Sequence, residues 1–293
     1  MLIPFENARP IDDRTRLIAL TTTRSIGRVL LQRLLDRFGS LEVIFAASAA
    51  DLRTVHGIGP QIAAAIRTTD LDAVAADLER FQEQQIMVAL WQEATYPARL
   101  LSLPDSPLTV YYKGAFLPTD DRAVAIVGTR EGSPAALKLT QTWADGLARR
   151  GWTIVSGLAR GIDAAGHRGA LTAGGRTIAV LGSGINQIYP PEHQILAAQV
   201  VLRGALLSEI HPDSQPMPNA LMRRNRLIVA LSRAVIIVQA GETSGALHAA
   251  RAATDLSVPL FVVNNSAGNA ALLANGQAQL LPADLDDFMS RIV

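Results

Sequence analysis

The sequence predicts an α/β protein in which a doubly wound, mostly parallel sheet is preceded by a small all-helical domain. Three observations lead there. From residue 122 onward, short near-continuous apolar segments alternate with stretches of helix length, the pattern of parallel strands covered on both faces. Residues 12 to 68 read instead as short helices joined by polar turns. The length of 293 residues suits two domains, and 49% hydrophobic against 18% charged residues provides enough apolar surface for two cores.

By this reading the helical domain spans 1–70, a connector 71–121 and the sheet domain 122–293. The helical part holds a weak internal repeat: Ser25-Ile26-Gly27 opens an apolar-periodic helix, and Gly57-Ile58-Gly59 opens "PQIAAAIR" in the same way. Paired helix-hairpin-helix (SAM-like) units fit this repeat. Glycine permits the tight turn, and the helix start offers N–H groups to a backbone phosphate. Few basic residues flank either turn, so a helical packing module that makes no DNA contact is the alternative. In the connector, "ALWQEATYPARLLSLPDSPLTVYYKGAFLPTDD" alternates prolines with short β-prone pieces, which predicts an edge strand or two. Beyond it, "AVAIVG", "TIVSG", "TIAVLG", "GALLSEI", "AVIIVQA" and "PLFVVN" read as strands, each followed by a helix-length segment.

In such a sheet, ligands bind at the carboxyl ends of the strands. Four small-residue turns fall there: Gly128-Thr129-Arg130, Ser156-Gly157-Leu158-Ala159-Arg160-Gly161, Gly182-Ser183-Gly184 and Gly241-Glu242-Thr243-Ser244-Gly245. Glycine after a strand is often plain turn chemistry, but with Arg130 and Arg160 beside them the turns together favour an anion site. The junction at 156–163 is expected to leave backbone N–H groups unpaired, a seat for a phosphate. Asp163 is expected to stabilise the positive end of the helix or to hold Arg160. A second basic element places Arg223, Arg224 and Arg226 around Asn225. Three such arginines cover nearly all sides of a helix turn, so at least one should face the strand ends; the alternatives are a solvated helix start or pairing with Glu209 and Asp213.

Other chemistries are disfavoured. No cysteine is present, which removes disulfides, thiolate catalysis and cysteine zinc sites. The five histidines lack metal-ligand spacing, so neither metal nor other cofactor is expected. No GxGxxG follows the first strand and no Walker A loop occurs. Ser156, Asp163 and His167 make a poor hydrolytic triad, because the last two share one helix and nothing places a substrate carbonyl by them. With 27 basic and 26 acidic residues, attraction to a polyanion must come from a local patch. The first residues lack a signal-peptide pattern and no apolar run approaches the ~20 residues that cross a bilayer, so a cytoplasmic protein is expected.

In order and spacing, "AIVGTR", "TIVSGLARGIDAAGHRGAL", "GGRTIAVLGSGINQIYPPEH", "GALLSEI", "RRNRLIVALSRAVIIVQA" and "SGALHAARAA" resemble the core of the DprA/Smf family, the DNA-processing proteins of bacterial transformation. The resemblance covers roughly residues 12 to 280. It implies a Rossmann-like domain that binds single-stranded DNA, protects it, helps load the RecA recombinase and self-associates as a dimer, with no enzymatic activity. It also implies that Arg130, Ser156, Gly157, Arg160 and Gly161 form part of the strand-contacting pocket, with Arg223, Arg224, Asn225 and Arg226 as its basic wall; from the strand-end turns, Gly128, Thr129, Gly182, Ser183, Gly184, Ser244 and Gly245 are expected to contact the DNA as well. The chain departs from the family in reading Leu221-Met222 before the arginine run and Pro191-Glu192-His193 after Tyr189-Pro190, and no C-terminal winged helix is expected after "DLDDFMSRIV". Glu242 beside its glycine turn suggests the other reading, a nucleotide-binding or nucleotide-cleaving protein of phosphoribohydrolase type.

Overall fold

A computed structural model describes residues 11–23 and 26–292. Contacts divide the chain into two units, the first running to Leu90 and adding Pro107–Thr109, the second taking Trp91–Ser106 and everything from Val110 onward.

The first unit is helical: α1 (Asp13–Thr22), α2 (Arg28–Phe38), α3 (Leu41–Ala46), α4 (Ala49–Leu52), α5 (Pro60–Arg67) and α6 (Leu71–Glu83), followed by a short strand β1 (Met87–Leu90). Gly27 and Gly59 are the N-caps of α2 and α5, neither with a side-chain cap, and Pro60 opens α5 at the position that lacks an N–H partner in any case. The expected hairpin glycines therefore sit at helix starts. Ser25 lies outside the described residues. Helix α6 is not anticipated by a reading that places a connector from residue 71. Its start is marked by Asp70, whose side chain accepts from Ala73 N–H at 3.0 Å, and its Phe81 is buried.

The second unit is built on β2 (Thr109–Gly114), β3 (Ala123–Val127), β4 (Thr153–Ser156), β5 (Thr177–Val180), β6 (Ala205–Ser208), β7 (Ala234–Ile237), β8 (Leu260–Val262) and β9 (Gln279–Leu280). They lie in the order β2-β6-β5-β4-β3-β7-β8-β9, parallel except for β2, which runs antiparallel to β6. All six strands expected beyond residue 122 are present, and the connector supplies β2, which lies inside the sheet order and is not the edge strand expected there. The helices are α7 (Pro134–Arg149), α8 (Ile162–Thr172), α9 (Gln194–Arg203), α10 (Pro218–Arg223), α11 (Asn225–Ala230), α12 (Leu247–Asp255), α13 (Ala267–Ala274) and α14 (Leu285–Ser290). From β3 the chain steps outward through β4, β5 and β6, then returns to β7 on the other side of β3 and steps the opposite way. Helices α7, α8 and α9 pack together on one face and α11 and α12 on the other, the arrangement that the right-handed crossover rule requires. Every residue of β3 is buried, as the near-continuous apolar run requires. Val124 and Ile126 join Trp143, Leu147, Ile154 and Phe288 in the core under α7, where the Phe288 ring meets Trp143 and Phe261 edge-on at 5.4 and 4.9 Å.

One polar group in this core is a titratable histidine. His167 of α8 is fully buried, and its Nδ1 lies 2.7 Å from Thr177 Oγ1. Because that hydroxyl donates to Ile154 O at 2.8 Å, it must accept from the imidazole, which leaves the buried Nε2 without proton or partner. Burial first, then the charge of Arg224, drives the imidazole pKa from 6.5 down to about 3. Between these values the unfolded chain binds a proton that the folded chain refuses, so stability falls as pH falls from the unfolded value toward the folded one. From about pH 8 to about pH 5, wild type should lose about 2 kcal/mol more unfolding free energy than a His167→Leu variant, measured by urea denaturation at each pH. Equal losses in the two proteins would show that the ring takes up its proton in the folded state.

Candidate functional site

The strand order reverses at β3 and β7, and the loops leaving these neighbours diverge to opposite faces, which opens a crevice at their carboxyl ends. The cleft there has a volume of about 630 Å³. Gly128, Thr129, Arg130 and Glu131 line it from the β3 side; Thr243, Ser244 and Gly245 line it from the β7 side. Asn225 ties in the second loop by donating to Gly245 O at 3.0 Å. Asp163, Arg224 and Tyr189 also line the cleft, and a narrower crevice beside it gathers Arg130, Gly157, Arg160, Tyr189 and Arg224.

Three arginines thus converge, each held differently. Arg130 is exposed, and its guanidinium makes no hydrogen bond among the described residues. Arg160 is also exposed and pairs with the exposed Glu192, whose carboxyl is held below its ordinary range by that hydrogen bond. Arg224, at the joint of α10 and α11, is buried. Its Nη1 donates to Val180 O at 2.7 Å, its Nε to Leu221 O at 3.3 Å and its Nη2 to Asp163 Oδ2 at 3.4 Å. Gly157 makes the room: a Cβ there would lie 1.2 Å from Arg224 Nη1. Asp163 is buried in the first turn of α8 and also accepts from the N–H groups of Gly157 and Ala159, at 3.1 and 3.4 Å. Burial pushes the Asp163 carboxyl up and lowers the Arg224 pKa; the pair's mutual attraction opposes both. A guanidinium nevertheless stays charged in a protein, so Arg224 is a fixed positive charge facing the cleft.

Several expectations are corrected here. The junction after β4 is no open seat of N–H groups, because Gly157 and Ala159 donate to Asp163 and Ile162 donates to Thr129 O at 3.2 Å. Asp163 holds Arg224 and not Arg160. Ser156, expected in the strand-contacting pocket, is fully buried and commits its hydroxyl proton to Ile126 O at 2.6 Å. Gly161 (φ +71°) packs its backbone on the β3 loop, where a Cβ would stand 2.4 Å from Thr129 O. Gly182, Ser183 and Gly184 lie buried outside the cleft: Cβ atoms on the two glycines would meet Leu221 Cα at 2.6 Å and Pro212 O at 2.1 Å, and Ser183 donates to Gln187 O. The arginine run splits, as residues spaced around a helix must. Arg223 is exposed and Arg224 turns inward, while Arg226 is largely buried against Glu209 and Asp105, at 2.5 and 2.9 Å. Pairing with Glu209, the alternative left open by the sequence, thus describes Arg226 alone. Sequence reasoning missed Tyr189, which stands 38% exposed on the rim, and Glu192; the signal for both was the "YPPEH" loop.

Residues 87–292 match the family model described as DNA recombination-mediator protein A, and residues 16–74 match the helix-hairpin-helix motif. Protein Smf of Synechocystis is 35% identical over 255 residues, covering 85% of this chain and 64% of its own length. The chain therefore spans less than two thirds of that relative. The solved DNA processing protein A of Streptococcus pneumoniae superposes with a TM-score of 0.79 at 26% identity, covering 95% of this chain and 98% of that one. That of Helicobacter pylori, described for its single-stranded DNA binding mode, gives 0.63 at 34% identity, covering 71% and 95%.

The geometry around Gly157 makes a direct prediction. Gly157→Ala should expel the Arg224 guanidinium and leave Asp163 buried and unpaired, a loss of about 3–5 kcal/mol in urea-unfolding free energy. In an Arg224→Ala background, where the clash is absent, the same change should cost far less. Equal costs in both backgrounds would rule out the steric account.

Proposed function

The chain belongs to the DNA recombination-mediator protein A (DprA/Smf) family, and on that premise we propose that it binds single-stranded DNA along the cleft at the strand ends, protects it and presents it to a RecA recombinase during uptake of transforming DNA. The observation that carries this reading is the convergence of Arg130, Arg160 and Arg224 on one crevice, beside an exposed tyrosine. Cations at a cleft contact the backbone phosphates of a strand whatever its sequence. Tyr189 offers a face on which a base can stack. The action is binding and not catalysis. Among the described residues no helix is long and apolar enough to cross a membrane, and we propose a cytoplasmic protein.

Arg130→Ala and Arg160→Ala should each weaken binding to labelled dT oligonucleotides in fluorescence anisotropy while leaving the thermal transition in place. Affinity should rise with oligonucleotide length and fall with salt by about 0.7 log units per log unit of salt for each phosphate neutralised. A flat salt response would sink the reading. Saturation at one or two nucleotides would favour the mononucleotide pocket instead.

We also propose self-association through the α/β domain. Ile195 and Leu202, seven residues apart on α9, are 76% and 81% exposed, an apolar stripe that a second copy would cover. Light scattering at tens of micromolar should give twice the 31.3 kDa of one chain, and Leu202→Lys should halve it. A monomer in the wild type would refute this.

A further inference from the structure

Glu192 stands out as an acid in a place where the proposed ligand is an acid too. It lies on the short 3-10 turn Pro191–His193, and its carboxylate engages Arg160, one of the three cations of the crevice. The arrangement is built and not incidental. His193, next in sequence, is buried, and its Nδ1 donates to Leu158 O at 2.8 Å. Leu158 belongs to the β4–α8 loop that also carries Arg160, so this buried bond clamps the two loops together and delivers Glu192 to the guanidinium. The pair itself is 63% and 48% exposed, and an ion pair so exposed to water is cheap to break. A carboxylate and a phosphate offer a guanidinium the same thing, two oxygens in the plane of its N–H fork.

We propose that Glu192 is a resident phosphate substitute on Arg160, displaced by an incoming strand. This rests on the reading of the cleft as a single-strand site and adds a selection to it. A lone anion gains at Arg160 little more than it takes from the carboxylate. A strand that also reaches Arg130 and Arg224 gains enough to swing Glu192 aside, so occupancy of Arg160 depends on several phosphates arriving together.

The test is anisotropy with a labelled dT oligonucleotide at low salt, using Glu192→Gln, Glu131→Gln, Arg160→Ala and the double variant Arg160→Ala/Glu192→Gln. Glu131 is an exposed acid of the same cleft that makes no ion pair among the described residues, so it reports plain charge removal. Glu192→Gln should tighten binding by about three- to fivefold, more than Glu131→Gln does, and the gain should vanish when Arg160 is absent. Wild-type binding with no gain in Glu192→Gln overturns the proposal, as does a gain that persists without Arg160 or is matched by Glu131→Gln. A wild type that binds no oligonucleotide overturns the single-strand reading itself, and this inference with it.

Discussion

The buried pair of Asp163 and Arg224 is the interaction on which the site depends. Asp163 accepts from the loop after β4 and opens α8; Arg224 reaches the end of β5 from the joint between α10 and α11. Four elements are thus referred to one carboxylate and one guanidinium. Exchange of a buried ion pair for apolar groups is often neutral in stability, whereas loss of one partner is severe. The pair therefore fixes where things are more than it adds to the free energy of folding. It holds a positive charge at the cleft wall that cannot move away, at a point where an empty Cβ position lets the guanidinium approach the backbone.

Around that fixed charge the other two cations are progressively freer. Arg160 is tethered by one exposed carboxylate, and Arg130 stands exposed on the opposite loop. With a net charge of +1 the molecule generates no strong overall field, so the local potential is the one that matters. The buried Asp163 compensates Arg224, the partly buried Glu209 and exposed Asp105 compensate Arg226, and the exposed Glu192 compensates Arg160. The cleft is thus only mildly positive as it stands.

The sheet was legible because its signal is local: a run such as Ala123–Val127, buried on both faces, must be apolar at every position. The paired glycine turns at Gly27 and Gly59 were legible for the same reason. Helix α6 is not legible as a helix although Asp70 marks its start, since the prolines that follow read as connector. At the site, the residue types were readable but their partners were not. Gly157 looks like any glycine after a strand, and only the folded chain puts the Arg224 guanidinium in the space its missing side chain leaves. Likewise Gly182-Ser183-Gly184 resembles a ligand loop, while its glycines serve the close passage of Leu221 and Pro212. Contacts between segments far apart in the chain leave no periodicity behind.

The reversal of strand order at β3 and β7 also sets a timetable. The cleft's walls come from residues 127–131 and 241–248, with four strands' worth of chain between them. During synthesis β3, β4, β5 and β6 can pair stepwise as they emerge, each beside its predecessor. The strand that completes the cleft must then return across all of them, a closure over a long loop that forms late. Until it arrives, Arg130 of the first wall projects from a half-built sheet whose β3 edge is unpaired. A nascent or truncated chain thus carries cations of the cleft without its shape, which only the long-range return of β7 to β3 completes.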